Sequence, residues 1–141
     1  MLGHLSILIV DDNHGMRDVL AAILKAEGHV SICASNGEEA IEVLRSHPVD
    51  LILTDILMPE MDGLEFIKEA RAMLRSVPIV AFSGGGYLAS RSFCLKTAKA
   101  IGANAVMPKP FDRQQLLTAI DDAVSLNYSA SDDDKHLPAA G

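Results

Sequence analysis

The chain has 141 residues, 49% of them hydrophobic, a mean hydropathy of +0.22 and a formal net charge of −7. That suits one domain with a sizeable core and excludes a disordered chain. The acidic balance argues against nucleic acid as a direct partner. No apolar stretch reaches the length of a bilayer span, and no basic segment followed by an apolar run opens the chain as a secretory signal would. A cytoplasmic location away from membranes is expected. Cys33 and Cys94 fit no metal or redox spacing and are expected to be free, buried thiols.

Ile7-Leu8-Ile9-Val10 is a short apolar run that ends on Asp11-Asp12. Such runs, alternating with helical stretches, read as parallel strands buried on both faces. A first helix is predicted from about Gly15 to Glu27, with Met16, Val19, Leu20, Ile23 and Leu24 along one side and Gly28 as its stop. A second strand covers about Val30 to Ala34, and Asn36-Gly37 turns into a helix through Leu44. Leu51-Ile52-Leu53-Thr54 is the third strand, ending on Asp55. A helix from about Leu64 to Leu74 follows, with Leu64, Ile67, Ala70 and Leu74 on one stripe. Ile79-Val80-Ala81-Phe82 is the fourth strand, ending on Ser83, and the fourth helix ends before Gly102. Ala105-Val106-Met107 is the fifth, followed by Pro108 and Lys109. The last helix begins at Asp112, with Gln115 three residues on in a box-like start, and shows Leu116, Leu117, Ile120 and Val124 on its apolar side. Strand and helix alternate five times, so right-handed crossovers give a doubly wound (βα)5 α/β domain over residues 1–127. Residues 128–141 are small, polar and acidic without periodicity, and are expected to form a flexible acidic tail.

Ligands of an open parallel sheet bind beyond the carboxyl ends of its strands. Asp11, Asp12, Asp55, Ser83 and Lys109 should therefore meet in one crevice. Two or three carboxylates and a backbone carbonyl suit a hard cation such as Mg²⁺. Asp55, alone at the end of a central strand, is placed to attack a phosphoryl group and form an acyl phosphate. That transfer needs positioning and charge neutralisation more than covalent help. Lys109 would neutralise one phosphoryl oxygen and the Ser83 hydroxyl would bond another. Crowded carboxylates repel, so Mg²⁺ and Lys109 also serve to keep Asp55 ionised.

Four segments together carry a resemblance: Ile9-Val10-Asp11-Asp12-Asn13, Thr54-Asp55-Ile56-Leu57-Met58-Pro59-Glu60-Met61-Asp62-Gly63, Ser83, and Lys109-Pro110-Phe111. They closely resemble the receiver domain of bacterial two-component response regulators, over about residues 6 to 125. Each motif is weak alone; all four in order at strand ends are highly specific. The resemblance implies a flavodoxin-like sheet of order 2-1-3-4-5. It implies that Asp55 accepts phosphate from a phosphohistidine on a sensor histidine kinase or a histidine phosphotransfer protein. It implies Mg²⁺ held by Asp12, Asp55 and the backbone carbonyl of Leu57, with Asp11 acting through water, and a cis bond at Lys109-Pro110. Met58-Pro59 and Asp62-Gly63 would shape the loop after the phosphorylated strand.

Two departures bear on output. The family usually has Tyr or Phe three residues before the lysine, where the ring relays movement of the Ser/Thr; here the position is Val106. The stretch between Ser83 and Lys109 is longer than the family's common form by roughly four residues, about one helical turn. It opens Ser83-Gly84-Gly85-Gly86-Tyr87. Three glycines permit positive φ, so this switch region is expected to order on phosphorylation, with the next helix starting near Ser90. Tyr87 is read as a surface or packing residue. Leu57, which overhangs the phosphoryl group in the family, cannot orient an attacking water, so a long-lived acyl phosphate is expected.

Other readings are weaker. No Gly-Lys-Ser/Thr follows the glycines, which excludes a P-loop, and Asp55 to Asp62 lacks calcium-loop spacing. The histidines at 4, 14, 29, 47 and 136 share no ligand spacing and are expected to be solvated or turn residues, with His14 at the crevice rim. The expectation is a chemotaxis-regulator-like phospho-switch that assists only its own phosphorylation and dephosphorylation. It stands alone, since too few residues follow Val124 for an output domain. Its signal would pass to a downstream protein through the face of the fourth helix, fifth strand and fifth helix. The alternatives are a phosphorelay shuttle or phosphate sink, which tolerates Val106, and an aspartate-nucleophile phosphatase. The phosphatase is disfavoured because Leu57 stands where a second acid would be.

Overall fold

The computed structural model describes residues 3–56, 58, 63–83 and 96–136, the last of these from 126 onward as backbone alone. The strands are β1 (Ser6–Val10), β2 (Val30–Ala34), β3 (Leu51–Asp55), β4 (Ile79–Ser83) and β5 (Ala105–Pro108). The helices are α1 (His14–Ala26), α2 (Gly37–Ser46), α3 (Gly63–Met73), the described part of α4 at residues 96–101, and α5 (Arg113–His136). All strand pairs are parallel, in the order β2-β1-β3-β4-β5. The doubly wound architecture and its strand order are therefore as the apolar runs and the motifs implied.

The alternation of each strand sorts the core into two layers, because successive side chains point to opposite faces. Leu8, Val10, Ile52 and Ala81 face α2, α3 and α4, where they meet Ala40, Ile41, Phe66, Ile67 and Ala98. Ile7, Ile9, Leu51, Leu53, Val80 and Phe82 face α1 and α5, against Leu20, Leu24, Leu116 and Ile120. β3 and β4 are buried along their whole lengths. Each large apolar side chain so buried contributes roughly 2 kcal/mol, so the central strands fix where their ends lie.

Caps set the helix starts. Asn13 Oδ1 accepts from the Met16 amide at 2.9 Å, and Asn36 Oδ1 from the Glu39 amide at 2.8 Å. Asp112 and Gln115 form a reciprocal box: Asp112 Oδ1 takes the Gln115 amide at 2.8 Å and Gln115 Oε1 takes the Asp112 amide at 2.9 Å. Gly28, with φ +90°, turns the chain out of α1.

Three expectations are corrected. α5 does not end near Asn127 but runs on through His136. No glycine or proline interrupts that stretch before Pro138, and polar residues without a breaker can continue an existing helix. Cys33 is exposed rather than buried; it lies opposite Ile9 on β2, an edge strand with a neighbour on one side only. His29 is buried, not solvated, and its Nδ1 accepts from the Leu5 amide at 3.1 Å. Cys94 lies outside the described residues.

Candidate functional site

The crevice is built by four strands that stop at the same edge of the sheet. Asp11 follows β1, Asp55 closes β3, Ser83 closes β4 and Lys109 follows β5. Parallel strands in register place these ends side by side. The backbone extends that alignment past the strands: Lys109 donates its amide to the Ser83 carbonyl at 2.8 Å, and Ile56 donates to the Phe82 carbonyl at 3.0 Å.

Carboxylate oxygens of Asp11, Asp12 and Asp55 lie within 4.8 Å of one another. Asp11 and Asp55 are buried, and Asp12 is exposed at the mouth. Lys109 Nζ stands between the two buried acids, 3.1 Å from Asp11 Oδ2 and 3.2 Å from Asp55 Oδ2. Burial alone would depress this ammonium. The nearby Asp55 and Asp11 charges, and the hydrogen bonds to them, outweigh that and raise it above the ordinary lysine value. Its Nζ lies over the Phe82 ring, 5.1 Å from the centroid, and Phe82 in turn packs tilted against Phe111 at 5.5 Å. The Lys109-Pro110 bond is cis.

Ser83 is fully buried, and its Oγ has no hydrogen-bond partner among the described residues. A buried hydroxyl without a partner is costly, and this one ends β4 at the sheet edge where β3 ends on Asp55. The three clustered carboxylates are a place for a further positive charge. The donor set is all oxygen, which fits a hard divalent cation.

Gly63 explains how α3 can start so close to the end of β3. Its amide donates to the Ile56 carbonyl at 2.7 Å, and a Cβ there would lie 2.1 Å from the Asp55 carbonyl oxygen and 2.4 Å from Ile56 Cα. Only glycine lets the start of α3 touch the strand end that carries Asp55. Thr54 Oγ1 also donates to that Asp55 carbonyl, at 2.9 Å.

Asp11, Asp12, Asp55 and Lys109, four of the residues singled out from the sequence, are brought together, and Ser83 adjoins them through its backbone carbonyl. Val106 sits half-buried on β5, packed on the α2–α3–α4 layer. His14 is exposed at the start of α1, with Nε2 3.3 Å from Asp18 Oδ2. The Leu57 carbonyl, Pro59, Asp62, the Gly84–Gly86 run, Tyr87 and the proposed helix start at Ser90 lie outside the described residues. Sequence reasoning missed Arg17, whose Nη1 donates to the Asp11 carbonyl at 2.7 Å, and Asn13, whose amide donates to Asp11 Oδ1 at 2.9 Å. A cation within two turns of an acidic pair was the signal available for Arg17.

The family model for the response regulator receiver domain matches residues 7–121. The chain is 31% identical over 127 residues to the transcriptional regulatory protein GlrR of Escherichia coli K12, covering 90% of this chain and 28% of that protein. It is 31% identical over 114 residues to sporulation initiation phosphotransferase F of Bacillus subtilis, covering 81% of this chain and 89% of that protein. The crystal structure of NtrX from Brucella abortus superposes with a TM-score of 0.86 at 26% identity, over 99% of this chain and 31% of that one. No helix among the described residues is long and apolar enough to cross a membrane. With the fold, the acidic crevice and the family match in agreement, the chain belongs to the response regulator receiver domains of two-component systems.

Proposed function

We propose that the chain is a phospho-accepting switch of the cytoplasm, with Asp55 as the acceptor. The observation that carries this is the Lys109 ammonium held between Asp11 and Asp55, beside a buried Ser83 hydroxyl with no partner among the described residues. An Asp55 carboxylate oxygen forms the new bond to phosphorus while the donor's P–N bond breaks. The leaving imidazole keeps the electron pair. Lys109 moves its hydrogen bond from the acceptor carboxylate to a phosphoryl oxygen, and Ser83 Oγ donates to another. Asp12 and Asp55, with the Leu57 carbonyl, would hold Mg²⁺, and Asp11 would act on it through water. When bound, the cation neutralises developing charge on the phosphoryl oxygens.

The phosphate donor is proposed to be a phosphohistidine on a sensor kinase or a phosphotransfer protein. Output would pass to a downstream protein through the α4–β5–α5 face. Val106 favours a second reading, in which the chain is a phosphorelay intermediate. A half-buried valine has no ring to swing inward with Ser83, and a shuttle needs exchange rather than relay. The similarity to a protein named as a phosphotransferase supports that reading.

Incubation with acetyl phosphate and Mg²⁺, followed by intact mass, tests the acceptor. Wild type should gain one phosphoryl group and Asp55→Asn none. A folded, Mg²⁺-binding wild type without an adduct would overturn the switch.

A further inference from the structure

We propose that Arg17 is a positioning residue for the metal-binding acids, a role that rests on the phospho-acceptor reading and deepens it. Asp11 is held at four atoms. Its amide donates to the Ala34 carbonyl at 3.1 Å, Oδ1 accepts from the Asn13 amide at 2.9 Å, and Oδ2 accepts from Lys109 at 3.1 Å. The fourth is the carbonyl oxygen, which takes Arg17 Nη1 at 2.7 Å. That carbonyl belongs to the peptide unit joining Asp11 to Asp12. Its plane sets the direction in which the Asp12 side chain leaves the backbone. Asp12 is the exposed acid of the cluster, with the least packing to hold it, so the orientation of this peptide is what aims its carboxylate.

Arg17 can hold the peptide firmly because it is itself held. It lies in the first turn of α1, its amide donates to the Asn13 carbonyl at 3.1 Å, and Nη2 meets His14 Nδ1 at 3.2 Å. The planar fork thus spans two acceptors, which a lysine ammonium cannot reproduce in the same fixed geometry. Groups that orient metal ligands from behind commonly change metal affinity when removed.

Charge and positioning predict opposite signs. Arg17 is a cation near a cation site, so a charge effect alone means that its removal tightens Mg²⁺ binding. Positioning means that its removal weakens it. The test uses Arg17→Met, which keeps the apolar stem, and Arg17→Lys, which keeps the charge. Mg²⁺ binding is measured by calorimetry at fixed ionic strength, and the acetyl phosphate reaction is followed across a Mg²⁺ series. Arg17→Met should raise the Mg²⁺ dissociation constant about tenfold, with Arg17→Lys in between. The Mg²⁺ concentration for half-maximal phosphorylation should shift likewise, with the rate at saturating Mg²⁺ little changed. Equal or tighter Mg²⁺ binding by a folded Arg17→Met overturns the positioning role while leaving the phospho-acceptor reading intact. A wild type that binds no Mg²⁺ and takes no phosphoryl group overturns both.

Discussion

The two ends of the sheet are finished differently. At the amino end, Arg71 on α3 donates to the Gly102 carbonyl from Nη2 at 2.8 Å and Nε at 3.2 Å, and to Asn104 Oδ1 at 2.8 Å. Its Nη1 serves the carbonyls of Leu74, Arg75 and Val77 at 3.0, 3.1 and 2.7 Å. Asn104 Oδ1 also takes the Ile79 amide at 2.9 Å. One guanidinium thereby closes the end of α3, the turn after α4 and the start of β4. Its acceptors here are neutral oxygens, and burial lowers its pKa. At the carboxyl end, three carboxylates cluster, two of them paired to Lys109, and a buried hydroxyl has no partner among the described residues. The first end spends its polar groups on stability. The second leaves like charges crowded and a donor unused, which is what a site must do if a cation and a phosphoryl group are to find places there.

If that contrast is right, the two ends respond separately to mutation, and a residue touching both the frame and the site damages both. Gly63→Ala should have the largest effect. Its Cβ would meet the Asp55 carbonyl at 2.1 Å, so stability should fall by about 3 kcal/mol in urea unfolding, and the yield of phosphoryl adduct should fall with it. Arg71→Met should cost about 2 kcal/mol, because partly buried carbonyls lose their donor, yet the adduct should form at the wild-type yield. Loss of the adduct in a folded Arg71→Met would break the separation of the two ends.

Lys109 sharpens the electrostatic side. Its folded-state pKa lies above the ordinary value of 10.5, so its ion pairs stabilise the fold below that pH and are lost as pH rises through the higher folded value. The stability gap between the metal-free wild type and Lys109→Met should therefore stay constant through neutral pH and narrow only above pH 10.5. Urea midpoints across a pH series measure it. The smallest effect belongs to Ser83→Ala. Removing a hydroxyl without a hydrogen bond should change stability by less than about 1 kcal/mol, while slowing phosphorylation by acetyl phosphate. A large stability loss would mean that the hydroxyl is already engaged.

Much of this was legible in the residues. The inner strands β1, β3 and β4 showed as Val/Ile/Leu-rich runs because burial on both faces favours that composition. The crevice acids, Ser83 and Lys109 showed as polar residues ending such runs. What was not legible depends on atoms brought together from distant segments. Arg71 reads as one more surface charge on a helix until Gly102 and Asn104 fold onto it. His29 reads as a turn residue until the Leu5 amide points at its ring. Cys33 reads as buried because its neighbours are apolar, and only the strand order puts it on an edge.

By itself the amino-acid order determined the alternating strands and helices, the capped start of the last helix at Asp112, and the identity of the groups at the strand ends. These are local matters of periodicity, side-chain hydrogen bonding and where an apolar run stops. Tertiary structure alone decided that Lys109 would stand 3.1 and 3.2 Å from two acids remote in the chain, that Gly63 would touch Asp55, and that Arg17 would grip the peptide between Asp11 and Asp12. Those contacts depend on strand register and helix packing. Their distances are set by the whole core, not by any neighbour in sequence.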